Sequence, residues 1–100
     1  MTDSERLQIL KQLKTAFQGE ILRSGAPVKN EHFAELWPAL DFNEQYCVNA
    51  QDAAGVLSKV GLGKADYEKA ATELNMIIGQ AISELEHGLR PPPPEALESN

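Results

Sequence analysis

Acid–base, nucleophilic and metal chemistry all need several donor side chains brought to one point. This chain offers few. It has two histidines, His32 and His87, and one cysteine, Cys47. A tetrahedral zinc site built from these would need carboxylates in unusual number. Cys47 with a histidine as base is a conceivable nucleophile, but no local motif surrounds it, and a small buried apolar role is expected for it. His32, early in a short helix, and His87, late in a long one, read as surface residues, with His87 meeting the negative end of its helix. No catalytic residue, metal ligand or cofactor is predicted, and the chain is read as not an enzyme. The enzymatic alternative is a subunit whose site another chain completes with help from Cys47 or a histidine.

Two stretches come close to known motifs. Asp41, Asn43 and Gln45 fall at positions one, three and five of a window ending at Asp52, with Val48 at eight. With Phe33, Leu36 and Leu40 before it and Leu57 after, the stretch loosely resembles the helix–loop–helix of the EF-hand family, which implies a calcium loop. Tyr46 stands where that family has glycine, and Asp52 where it prefers glutamate, which leaves few charged ligands. A metal-free loop of similar shape is the expectation.

The second stretch is Gly61-Leu62-Gly63-Lys64-Ala65, with Leu57 and Val60 ahead and Glu68, Lys69 and Ala70 behind. It resembles the hairpin of the helix-hairpin-helix family. The resemblance implies a phosphate site at Gly61, Gly63, Lys64 and Lys69, assisted by Lys59, where turn N–H groups and a helix N-terminus meet an anion. A helix-turn-helix reading shares these segments. Tyr67 replaces the family's usual small residue, and Asp66 and Glu68 face the phosphate position. A plain tight turn with glycine at C′ is preferred.

A third constellation concerns binding. Trp37, Pro38, Phe42 and Tyr46 lie among Glu31, Glu35, Asp41 and Glu44. Aromatic side chains dominate interaction hot spots, and a carboxylate ring favours a basic partner. The predicted partner-binding residues are therefore Trp37, Phe42, Tyr46, Glu35, Asp41 and Glu44, with closure of one end of the core as the competing role for the aromatics.

Four helical segments must position these residues. The first runs from about Asp3 to Arg23, opened by a Thr2–Glu5 capping box. Leu7, Leu10, Leu13, Phe17 and Ile21 share its inner face, and Gly19 marks a close crossing or a weak last turn. The second starts at an Asn30 N-cap, carries Phe33, Leu36, Trp37 and Leu40, and ends or kinks near Trp37 because of Pro38. Asp41 to Val48 is irregular, with Tyr46, Cys47 and Val48 able to extend. The third spans Ala50 to Val60 behind an Asn49 cap, with Val48 stapled on Ala53. Ala53, Val56, Leu57 and Val60 face inward, and Gly61 closes a Schellman ending with Leu62 folded onto Leu57.

The fourth helix spans Lys64 to His87, with Gly88 at C′. Its seam of Tyr67, Ala71, Leu74, Ile78, Ala81 and Leu85 has coiled-coil spacing. The seam packs on the first helix or, alternatively, forms a homodimer. Pro91 to Pro94 then impose an extended segment, which serves as a spacer or an SH3- or WW-type ligand, and the polar tail beyond is expected to be disordered.

Composition sets the frame. The chain has 100 residues, 42% of them apolar, and a formal net charge of −6. It can build one core, expected over residues 1–90 with a tail at 91–100. The predicted fold is an all-α small four-helix bundle of two long and two short helices. Acidity disfavours nucleic acid and anionic membrane. No apolar stretch suits a bilayer, none resembles a signal peptide, and one cysteine needs no oxidising compartment, so a cytoplasmic location is expected. The functional expectation is a non-enzymatic protein-interaction module: a small acidic adaptor, chaperone or inhibitor with a protein partner, for which a basic surface is the complementary charge. The alternative is a nucleic-acid-binding protein of helix-hairpin-helix-like or helix-turn-helix-like type.

Overall fold

A computed structural model describes residues 1–89 of the chain; Arg90, the Pro91–Pro94 run and the residues after it lie outside the described residues. Helix α1 spans Asp3–Ala16. The capping box is present: the Thr2 hydroxyl accepts from the Glu5 N–H at 3.1 Å, and the Glu5 carboxylate accepts from the Thr2 N–H at 3.4 Å. The predicted single helix to Arg23 does not continue as α. Phe17–Ile21 winds as a π-helix, in which the Leu22 N–H reaches back five residues to the Phe17 carbonyl at 3.1 Å. Nothing lies within 4 Å of where a Gly19 Cβ would sit, so Gly19 marks no close crossing. It supplies low helical propensity where the ladder widens.

The second predicted helix is two. Helix α2 is Asn30–Phe33 and helix α3 is Leu36–Leu40. Asn30 is the first helical residue rather than the cap; Lys29 holds that position without a side-chain bond. The break falls at Ala34–Glu35, ahead of Trp37 and not at it. Restarting there places Pro38 third in α3, inside the first turn, where its missing N–H leaves no bond unmade.

Helix α4 is Glu44–Leu57, which corrects the expected start at Ala50. Asn43, not Asn49, is the cap, its Oδ1 accepting from the N–H groups of Gln45 and Tyr46 at 3.1 and 3.4 Å. Tyr46, Cys47 and Val48 are thus helical rather than extended. Val48 sits inside the helix and is exposed, so it forms no staple. The helix stops at Leu57, which leaves Val60 in a turn and 89% exposed instead of inward. Gly61 does adopt a left-handed φ of 76°, but in that turn, beyond the Ser58 cap, and not at C′. Leu62 is partly buried against the core.

Helix α5 spans Lys64–Leu89, 26 residues, and includes Gly88, which is therefore no C-cap. Both α4 and α1 pack along it, while α3 bridges α1 and α4. Leu74, Ile78 and Ala81 are fully buried, flanked by Tyr67, Ala70, Ile77, Ile82 and Leu85. At about 1.5–3 kcal/mol for each fully buried Leu or Ile, this stripe stabilises the packing of both helices on α5. No strand occurs among the described residues, and the all-α bundle stands, with α2 and α3 together taking the place of one short helix. Two cross-links tie the 25–29 loop down. The Val28 N–H donates to the Leu57 carbonyl at 2.9 Å, satisfying the last carbonyl of α4, and the Tyr67 hydroxyl donates to the Ala26 carbonyl at 3.0 Å.

Candidate interaction surface

The predicted aromatic site resolves into two ring groups. In the first, Phe17 stacks on Phe33, and Phe33 on Trp37, each pair with centroids 5.7 Å apart and rings within 25° of parallel. The column starts in the core, at fully buried Phe17, and ends at half-buried Trp37. Phe33 and Trp37 meet because they are four residues apart across the α2–α3 junction. In the second group, Phe42 meets Tyr46 edge to face at 6.0 Å. Trp37, Phe42 and Tyr46 are all half-buried and pack on the core, so they close the core and leave an edge outside.

Arg6 joins the two groups. Its guanidinium donates to the Pro38 carbonyl and lies 6.0 Å from the Phe42 ring centroid. Asp3 sits 3.8 Å from Arg6 Nε. The Glu84 carboxylate beside the Tyr46 hydroxyl, helped by burial, pushes the phenol's pKa up. Neither Arg6 nor Glu84 was visible to local sequence reasoning, since both arrive from helices distant in the chain. Glu35, Asp41 and Glu44 are exposed around the rings. Among the described residues none of these three carboxylates has a basic partner within 4.0 Å. Glu44 opens α4 and so also complements its positive end.

The phosphate-site residues do not converge. Gly61 and Gly63 are exposed, but Asp66 Oδ2 lies 3.9 Å from where a Gly63 Cβ would be. Lys64 Nζ is 3.9 Å from Glu68. Lys64 and Lys69 line different hollows, the first with Arg23 and Tyr67, the second with Val56 and Glu73.

The calcium-loop geometry is overturned. Gln45, Val48 and Asp52 all lie on α4, and Asn43 Oδ1 is engaged as its cap. Among the described residues no group of three His, Cys, Asp or Glu side chains is placed to hold a metal ion. Cys47 is half-buried, with the Gln51 amide donating to Sγ at 3.7 Å. His32 is half-buried rather than on the surface, its Nδ1 enclosed without a hydrogen-bond partner. The α5 seam from Tyr67 to Leu85 is filled by this chain's own helices, so a homodimer through it would require the bundle to open. No helix among the described residues is long and apolar enough to cross a membrane. Set against protein-family models, curated proteins and solved structures, the chain matches none.

Proposed function

We propose that this chain is a non-enzymatic protein-interaction module, an acidic adaptor, chaperone or inhibitor of the cytoplasm. It engages a basic partner through Trp37, Phe42 and Tyr46, rimmed by Glu35, Asp41 and Glu44. The observation that supports this most is the ring column from Phe17 through Phe33 to Trp37. A Trp held by stacking loses little conformational entropy on binding, and its open edge lies among carboxylates that lack counter-ions. That combination matches an aromatic anchor with a charged rim.

The test is capture of partners from the native source by the wild type and by a Trp37→Ala, Phe42→Ala double variant, with circular dichroism as the folding control. Capture should be lost in a folded double variant; unchanged capture refutes the assignment. A Glu35→Lys, Asp41→Lys variant, altered only at exposed positions, should weaken the same complex. The nucleic-acid alternative has Gly61, Gly63, Lys64 and Lys69 behind it. It predicts duplex DNA binding at low salt that is lost on Lys64→Glu.

A further inference from the structure

Helix α5 has two flanks, and they are covered differently. Toward α1, Lys14 Nζ lies 3.6 Å from where a Gly79 Cβ would be, and Lys11 pairs with Glu86 at 3.5 Å. Lysine stems thus roof the α1–α5 groove. Toward α4 there is no such roof. Two hollows of about 270 and 330 Å³ share Glu73 as a wall and run from Asn49 and Gln80 at one end to Leu62 and Asp66 at the other. Fourteen residues of α5 separate Gln80 from Asp66, which at 1.5 Å per residue is roughly 21 Å. Val56, Ala70 and Ile77 form the apolar floor. Met76, at the lip, is 56% exposed.

The two ends of this groove differ in charge. The charged residues facing the first hollow are Asp52 from α4 and Glu73 from α5, both acidic, whereas Lys59 and Lys69 share the second with Asp66 and Glu73. None of these five forms an ion pair within 4.0 Å among the described residues. The geometry points to a docking site for one amphipathic helix of a partner protein, about four turns long. Its apolar stripe would lie on Val56, Ala70 and Ile77, with Lys or Arg over Asp52 and Glu73. A single helix is convex and fills such a groove, as in other helix-in-groove recognition, and exposed methionine adapts to the side chains it meets. A second copy fits less well: it presents the same concave face and carries a net charge of −6 of its own. This site is separate from the aromatic surface, though the Tyr46–Glu84 contact lies one helical turn beyond Asn49 and Gln80.

The probe is a synthetic 15-residue helical peptide with leucine at i, i+3, i+7 and i+10 and lysine flanking the stripe in its first two turns. It is titrated into the isotope-labelled full chain and followed by nuclear magnetic resonance. Saturable shifts should be confined to residues lining the groove, the Met76 methyl among them. Affinity should fall at least tenfold in an Asp52→Lys, Glu73→Lys variant and in Met76→Glu, all exposed positions whose folding circular dichroism verifies. Peptides with glutamate in place of lysine, or with a central proline, should fail to bind. Absence of saturable shifts overturns the proposal. So do shifts confined to Trp37 and Phe42, which would speak for the aromatic surface instead. Concentration-dependent dimerisation with the Met76 signal perturbed, seen by light scattering without peptide, also overturns it.

Discussion

The Tyr67 hydroxyl donates a hydrogen bond to the Ala26 carbonyl, 41 residues earlier in the chain. One phenol at the start of α5 thereby fixes the loop that follows the π-helix. Ala26 itself is exposed, so its carbonyl can turn to water when the donor is removed. Tyr67→Phe should therefore cost only about 0.5–1.5 kcal/mol, the net value of a typical hydrogen bond. Urea denaturation of the two proteins measures this.

The same residue sets an alkaline limit. Burial pushes the Tyr67 pKa up, and Glu84 with burial does the same for Tyr46. Both folded states hold the protonated phenol. Their contribution to stability is complete below the unfolded value of about 10 and is lost as pH rises through the folded values. The denaturation midpoint should be insensitive to these groups near neutrality and fall above about pH 10. Tyr67→Phe should make that fall shallower, and adding Glu84→Gln should make it shallower still.

Asn43 and Asn49 give a paired test of where α4 begins. Asn43→Ala removes an acceptor for two backbone N–H groups and should destabilise by about 0.5–2 kcal/mol. Asn49 is exposed within the helix and bonds only the Gln45 side chain, at 3.0 Å. Asn49→Ala should change stability by less than about 0.5 kcal/mol. Equal losses would move the helix start.

Gly55 and Gly79 lie inside helices without a packing reason. Nothing stands within 4 Å of a Gly55 Cβ, and the nearest atom to a Gly79 Cβ is the mobile end of Lys14 at 3.6 Å. Each should gain about 0.5–1 kcal/mol on replacement by Ala. A thermal melt that falls for Gly79→Ala would show that Lys14 cannot yield.

Phe33 is the middle ring of the column. Phe33→Ala should cost about 3–5 kcal/mol and release Trp37 toward solvent. The accompanying sign is a red shift of tryptophan fluorescence under native conditions, which Leu74→Ala should not produce.

The helical class is readable because α1 and α5 carry long apolar stripes, and the Thr2–Glu5 cap of α1 needs no tertiary partner. Several of the differences fall between Ala34 and Asn49. There two asparagines compete as caps within six positions, and starting at Asn43 brings Tyr46 and Cys47 onto the core-facing side that Ala50, Ala53 and Ala54 continue. Pro38 predicts an ending or a kink near Trp37, but its effect depends on where the preceding break falls, and Ala34–Glu35 gives no local sign of it. Val60 looked inward by extrapolating a helix that had already stopped. In the candidate site the aromatics and carboxylates were visible as a cluster in sequence. Arg6 and Glu84 were not, because only the antiparallel packing of α1 and α4 on α5 brings them there. The α4–α5 groove left no sequence signal, being defined by what fails to cover it.

Helices α1 and α4 both rest on α5, the last helix of the described chain to be synthesised. On the ribosome the keystone arrives after the stones it supports. Until α5 emerges, the faces of α1 and α4 that pack on it stay open, so nascent chains halted near Gly63 should expose apolar surface and recruit holding chaperones.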